Sequence, residues 1–148
     1  MSSIIAYPTP KERTIQLKVS TDYAIRIVYY LALKGDTATS GEISGQMGIP
    51  QSVIATLSTP LQKAGLLTTQ RGAGGGFALS RRPEDISLYE IVNLMEGTTR
   101  INRCLEPDGF CSRNGTASCS AHRFFLREQE KLEQSFREMT IAKLLNDE

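Results

Sequence analysis

The 148-residue chain contains no tryptophan, a single histidine (His122) and only three cysteines. With one histidine and no acid–base or nucleophile constellation, there is little to catalyse with, so an enzyme is not expected. An odd number of cysteines disfavours a disulfide framework. No apolar run is long enough to cross a bilayer: the most apolar stretch, Tyr23 to Leu33, is short and interrupted by Arg26. The opening M-S-S-I-I-A-Y-P-T-P lacks the basic start and long apolar run of a signal peptide. A cytoplasmic protein without membrane contact is therefore expected, in a compartment where cysteines stay reduced and serve metals or redox chemistry. The net charge of +1 is too small to indicate nucleic acid by itself. It is unevenly spread, however. Residues 11–86 carry nine Lys/Arg against six Asp/Glu and residues 87–148 eight against ten, a lean toward a polyanion in the first part.

The three cysteines and the histidine fall in one stretch, C-L-E-P-D-G-F-C-S-R-N-G-T-A-S-C-S-A-H, from Cys104 to His122. Six residues separate Cys104 from Cys111, seven separate Cys111 from Cys119, and two separate Cys119 from His122. Pro107, Gly109 and Gly115 make this a loop that something other than a core must hold.

Ahead of the loop, residues 1–16 read as a flexible arm, and the alternation of Ile15, Leu17 and Val19 permits a short extended lead-in. Ser20 and Thr21 are candidate caps for a helix carrying Ala24, Ile27, Val28 and Leu31 on one face, ended by Gly35. Thr39 and Glu42 form a capping box that opens a short helix through Met47. Gly48 breaks it, and a third helix runs from Gln51 to Ala64 with Ile54, Leu57 and Leu61 inward, a kink expected at Pro60. Short helix, glycine turn and second helix outline a helix-turn-helix, whose second helix enters the DNA major groove. The pattern alone is only moderately specific.

Two strand-like runs follow, Leu66–Gln70 and Gly76–Ser80, around the tip Arg71-Gly72-Ala73-Gly74-Gly75. The glycines do not make a phosphate loop, because Phe77 stands where either nucleotide-binding pattern needs another residue. A hairpin directly after a helix-turn-helix reads as a wing, whose glycine tip and Arg71 suit the minor groove. A surface hairpin without function is the plainer alternative. Arg81 and Arg82 are candidate phosphate contacts. Ser87 and Glu90 form a second capping box, opening a helix through Leu88, Ile91, Val92 and Met95 that is expected to pack under the wing. The longest helix, about Ser120 to Met139, carries Phe125, Leu132, Phe136 and Met139 at helical spacing, and a two-fold dimer contact is the preferred use of that face. Thr140 caps a final short segment, Ile141 to Leu145.

For the cysteine loop, structural zinc usually pairs its cysteines more closely than these gaps do. Wide loops and mostly thiolate ligands favour an iron–sulfur cluster; free thiols are the third possibility. Arg100, Arg103, Arg113 and Arg123 flank the loop as an anionic centre requires. Cys119 opens the long helix, where the positive dipole end favours thiolate. A neutral imidazole as fourth ligand leaves an oxidised cluster less negative than a carboxylate does, and so easier to reduce.

With these residues in place, the chain resembles the IscR/NsrR-like family of winged-helix bacterial transcription regulators. The resemblance is carried by Ser20-Thr21-Asp22-Tyr23-Ala24, Pro60-Leu61-Gln62-Lys63-Ala64-Gly65-Leu66, Arg71-Gly72-Ala73-Gly74-Gly75-Gly76-Phe77-Ala78-Leu79, Ser87-Leu88-Tyr89-Glu90-Ile91-Val92 and the cysteines. It covers about Leu17 to Leu145. It implies a mainly α fold with a small β-hairpin: a winged helix-turn-helix plus a long C-terminal dimerisation helix. The implied divisions are an arm over 1–16, the DNA-binding domain over 17–97, the cluster loop over 98–119, and the dimerisation helix and tail over 120–148. The implied cluster ligands are Cys104, Cys111 and Cys119. His122 matches a 2Fe–2S branch of the family, and Asp22 the position from which a nitric-oxide-sensing branch supplies a carboxylate across the dimer to a 4Fe–4S cluster; His122 and 2Fe–2S are preferred. Gln51, Ser52, Ala55 and Thr56 would face bases of a double-stranded DNA operator, with Thr69 and Arg71 from the wing. Ala55 stands where some relatives carry a carboxylate, and the cysteine gaps exceed those of the 2Fe–2S branch. The function implied is a homodimeric DNA-binding regulator sensing iron, redox state or nitric oxide. The alternative from another class is a zinc-stabilised interaction module without a DNA role.

Overall fold

The computed structural model describes residues 15–147, so the flexible arm expected over 1–16 lies almost wholly outside the described residues. Among the described residues, six α-helices and one hairpin make up the fold: α1 Val19–Lys34, α2 Ser40–Met47, α3 Gln51–Lys63, β1 Leu67–Gln70, β2 Gly76–Leu79, α4 Leu88–Glu96, α5 Ser120–Glu138 and α6 Ile141–Asn146. Among the described residues, no helix is long and apolar enough to cross a membrane.

The start of α1 departs from the sequence reading. Neither Ser20 nor Thr21 caps it: the helix begins at Val19, the alternating lead-in forms no strand, and Lys18 at the N-cap position offers no side-chain bond. The cap comes instead from α4. The Glu96 carboxylate accepts the Lys18 N–H at 2.7 Å and the Thr21 hydroxyl at 2.8 Å, and Thr21 is fully buried. A tertiary carboxylate at a helix N-terminus both satisfies an orphan donor and complements the dipole.

At α2 half of the expected capping box forms. The Glu42 N–H donates to Thr39 Oγ1 at 3.1 Å, but the Glu42 carboxylate turns to α1, accepting from Tyr30 Oη and Lys34 Nζ, each at 2.8 Å. Those bonds, Lys34 first, hold the Glu42 carboxyl below its ordinary range. The box at Ser87 behaves alike: Ser87 Oγ accepts the Glu90 N–H at 3.2 Å, while the Glu90 side chain pairs with Arg81.

The third helix buries Ile54, Leu57 and Leu61 as expected and continues past Pro60 to Lys63. Gly65, at φ 76°, then lets the Leu66 N–H reach the Leu61 carbonyl and its own N–H reach Gln62, closing the helix in a Schellman turn. That turn delivers the chain straight into β1. The two strands pair antiparallel from Leu67 opposite Leu79 to Gln70 opposite Gly76. The hairpin is also stitched to the α1–α2 loop, since Ala38 and Phe77 exchange backbone bonds of 2.9 and 2.8 Å. A Cβ at Gly76 would run into the Ala38 carbonyl, which explains a glycine inside a strand.

The core gathers Ile27, Val28 and Leu31 of α1, Ile43, Ile54, Leu61, Leu66, Ile91 and, from the C-terminal segment, Ile141. The short α6 is thus part of the core: it packs on α1, and the Ile141 N–H donates to Ile86 O at 2.9 Å. The expected place of α4 under the wing is corrected. It packs on α1 and α5, and its tie to the wing end is the Arg81–Glu90 ion pair. Of the nineteen residues of α5, only Gln129 is buried; Phe124 and Leu126 remain 51% and 43% exposed.

Candidate metal centre and nucleic-acid interface

No strand and no long helix shapes residues 98–119; short turns and side-chain bonds do. Cys104 sits in a single helical turn, Arg103–Leu105, and Cys119 is the N-cap residue of α5. Asn114, at φ 54°, makes a tight turn after Cys111, whose carbonyl accepts the Asn114 N–H at 2.9 Å. Thr116 Oγ1 donates to the Gly109 carbonyl at 2.8 Å and draws the loop's two halves together. Arg103 grips Asp108 through both carboxylate oxygens, at 2.6 and 2.7 Å, and its guanidinium lies 5.1 Å from the Phe110 ring centroid. The Arg103 guanidinium, followed by the Phe110 N–H, lowers the Asp108 carboxyl to about 2.

This folding brings Cys104, Cys111, Cys119 and His122 to the wall of one cavity of about 280 Å³, with Asn102, Thr116 and Phe125 beside them. His122 Nδ1 lies 3.1 Å from Cys104 Sγ, and Asn102 Nδ2 donates to the same sulfur at 3.4 Å. Cys119 Sγ accepts the His122 N–H at 3.5 Å, so the first turn of α5 is capped by sulfur. At Cys111 the Gly115 and then the Arg113 backbone N–H groups lower the thiol pKa. Hydrogen bonds that prefer the charged form act this way on any acid.

Among the described residues no three His, Cys, Asp or Glu side chains converge on one point as a single bound ion requires. The thiols stand around a space instead. Three soft sulfur donors and an imidazole around such a space are a donor set that fits an iron–sulfur cluster. Asp22 is not among these groups: its carboxylate is held by Arg26 Nη2 at 2.6 Å on α1. The four flanking arginines are corrected in part. Arg100 pairs with Glu133 and Arg103 with Asp108, so neither is free to balance an anionic centre.

The six residues expected to face bases and the minor groove lie exposed, whereas Arg81 is half-buried against Glu90. Gln51, Ser52, Ala55 and Thr56 fall on one face of α3, and Thr69 and Arg71 on the wing beside it. Several are already engaged: Gln51 Nε2 donates to Ser40 Oγ at 2.9 Å, Thr56 Oγ1 to Ser52 O at 3.2 Å, and Thr69 Oγ1 to Gln62 Oε1 at 2.8 Å. The last bond ties the wing to α3. Arg71 has no ion-pair or hydrogen-bond partner among the described residues.

Two residues near the cavity escaped the sequence reading. Gln129 and Glu133 of α5 hold the segment ahead of Cys104, Gln129 by its carboxamide and Glu133 by bonds from Thr99 and Arg100. The signal was present. His122, Phe125, Gln129, Leu132, Phe136 and Met139 follow one another at intervals of three and four, so Gln129 is a polar residue in an apolar stripe.

Comparison with known proteins agrees with this architecture. Residues 17–147 match the Rrf2 family, described as an iron-dependent transcriptional regulator. The chain is 27% identical over 128 residues to the HTH-type transcriptional regulator IscR of Klebsiella pneumoniae, covering 85% of this chain and 77% of that one. It is 31% identical over 93 residues to protein aau3 of Rhizobium meliloti, covering 62% and 60%. Among solved structures, CymR, the global cysteine regulator of B. subtilis, superposes with a TM-score of 0.77 at 20% identity, covering 90% of this chain and 98% of that one. IscR of T. potens gives 0.70 at 22%, covering 89% and 87%. The matched family and IscR are described as transcriptional regulators, not enzymes, and the neighbours share the winged-helix fold. The chain belongs to the Rrf2 family of transcriptional regulators.

Proposed function

We propose that this regulator senses iron, redox state or nitric oxide through an iron–sulfur cluster held by Cys104, Cys111 and Cys119, with His122 as the fourth ligand. The single observation that carries the reading is the meeting of His122 Nδ1 and Cys104 Sγ at 3.1 Å on a cavity that all three thiols line. The family alone does not require a cluster, since the B. subtilis neighbour is named for cysteine regulation. The donor set of this chain is the reason to prefer one. When bound, the cluster supplies a redox-active, chemically labile centre. The protein's part is to present three sulfurs and one imidazole, with Asn102 Nδ2 on the Cys104 sulfur as an outer hydrogen bond.

Asp22 is the competing fourth ligand, acting from a second subunit. It would have to leave Arg26 to do so, which is why His122 and a 2Fe–2S cluster are preferred to Asp22 and 4Fe–4S. A zinc-stabilised module without a DNA role is set aside by family membership. We assign residues 17–97 to DNA binding, 98–119 to the cluster, and 120–148 to a dimerisation helix with a C-terminal segment. The exposed Phe124 and Leu126 of α5 support that contact. Gln51, Ser52, Ala55 and Thr56 would read the major groove of the operator, and Thr69 and Arg71 the minor groove. Control of transcription then needs one quantity, a different operator affinity with and without the cluster.

Anaerobic purification followed by native mass spectrometry tests the reading. A dimer carrying iron and acid-labile sulfide is expected, losing both in His122→Ala but not in Asp22→Ala. A triple cysteine-to-serine variant binding the operator as tightly as the loaded dimer would sink the link between cluster and DNA.

A further inference from the structure

We infer that Gln129 is a positioning residue for the cavity: its carboxamide holds residues 99–101 on α5 and so sets where Cys104 stands relative to His122. The purpose of that arrangement rests on the cluster reading above; its geometry does not.

Gln129 lies seven positions after His122. At ~3.6 residues per turn they share one face of α5, about 10 Å apart along the axis. The chain before Cys104 runs along that face in the opposite direction. Thr99 and Ile101 meet Gln129, and Cys104 meets His122. Three residues carry the chain from Ile101 to Cys104, a reach of at most about 10 Å. So short a tether does not let the two attachments move independently. Where Gln129 puts Ile101, Cys104 must follow.

The carboxamide suits this place because it has two unlike ends. Gln129 Oε1 accepts the Ile101 N–H at 2.8 Å, and Nε2 donates to the Thr99 carbonyl at 2.8 Å and to Glu133 Oε1 at 3.0 Å. A backbone N–H only donates and a backbone carbonyl only accepts, so the orientation of the amide is dictated by the main chain. The side chain is 3% exposed, and it is the one buried residue of α5. Leucine would fill a similar volume and make none of these bonds. Glutamate would keep an acceptor for Ile101 but set another against Thr99 O and Glu133. Glu133 reinforces the clasp by accepting from Thr99 Oγ1 at 2.9 Å and pairing with Arg100.

The test compares wild type, Gln129→Leu, Gln129→Glu and, as a control for general loosening of α5, Phe136→Ala on the same stripe. In metal-free protein, the alkylation rate of Cys104 is measured against that of Cys111 in the same chain. After anaerobic reconstitution with iron and sulfide, the visible circular dichroism and the cluster's lifetime in air are recorded. Gln129→Leu is expected to raise Cys104 labelling several-fold relative to Cys111. It should also shift the visible bands and shorten the lifetime by about tenfold or more, the scale of outer-shell effects at metal sites. Gln129→Glu, which keeps one bond, should move the same readouts less and serves if the leucine variant does not fold. Unchanged labelling and spectra in a folded variant that loads its cluster overturn the inference and leave the cluster reading intact. Equal changes in Phe136→Ala overturn it as well. If wild type takes up no cluster yet the Cys104 labelling ratio shifts as stated, the clasp stands and the cluster reading falls.

Discussion

Residues 19–97 and residues 98–119 are held together by opposite means. The first region buries isoleucine and leucine from every helix around one centre, each of its four helices runs out at a glycine, and α2 and α4 begin on a hydroxyl cap. The second has no buried residue at all; Cys104, Cys111 and Cys119 are each half-buried, and Arg103–Asp108, Thr116–Gly109 and the bonds to α5 stand in for a core. The difference suits the tasks proposed above. A groove-reading surface works by presenting fixed side chains. A loop proposed to gain and lose an inorganic centre must give way at low free energy, and regions with few buried apolar contacts are where local opening is easy.

That contrast can be broken at several points. The largest effect is expected from Ile54→Ala, which empties a fully buried site on α3. A loss of about 2–5 kcal/mol in chemical denaturation should follow, whereas Phe110→Ala, at a 54% exposed loop residue, should stay within about 0.5 kcal/mol. Equal losses would show that the loop shares the core after all. Next comes Arg71→Ala. Because the wing is pinned to α3 and α1–α2 by other residues, the melting temperature should not move, while operator binding weakens by about 1–3 kcal/mol in a titration at fixed salt. Unaltered affinity would remove the wing from the interface.

Smaller still is the local cap. Ser87→Ala takes away the acceptor for the Glu90 N–H and should lower stability by about 1 kcal/mol, without changing any property of the cysteine loop. The smallest effect belongs to Asp108, whose folded carboxyl lies at about 2 against an ordinary 3.8. Its pKa is depressed by folding, so its support for the loop is complete above the ordinary value. It is lost as pH falls toward about 2. An NMR titration should find that carboxyl largely ionised at about pH 3, roughly one pH unit above its folded midpoint, and Asp108→Asn should remove the part of the loop's pH dependence that follows the Arg103 and Phe110 resonances.

Much of the first region was legible before any coordinates. Gly35, Gly48, Gly65 and Gly97 mark helix ends, Thr39 and Ser87 mark starts, and the hairpin runs fall within a residue of the observed strands. These signals work because they are local, each acting within one turn of chain. The errors share the opposite property. Glu96 replaces Thr21 as the cap of α1, Glu42 leaves its own box for Tyr30 and Lys34, and α4 settles on α1 and α5 instead of the wing. Each involves a partner many residues away. At the candidate site, the cysteines and the lone histidine singled out a loop whose four side chains come to line one cavity. Nothing in that spacing told that Arg100 and Arg103 would be taken up by Glu133 and Asp108, or that Asp22 would sit on Arg26.

Residue order thus dictated the helices, the wing, and a loop rich in sulfur with one imidazole next to it, because helix periodicity, glycine turns and ligand chemistry are properties of short stretches. The approach of His122 to Cys104, the capping of α1 by Glu96 and the grip of Gln129 on residues 99–101 came only with folding. Hydrogen bonds across tens of residues form where packing brings their ends together, and no local pattern encodes that distance.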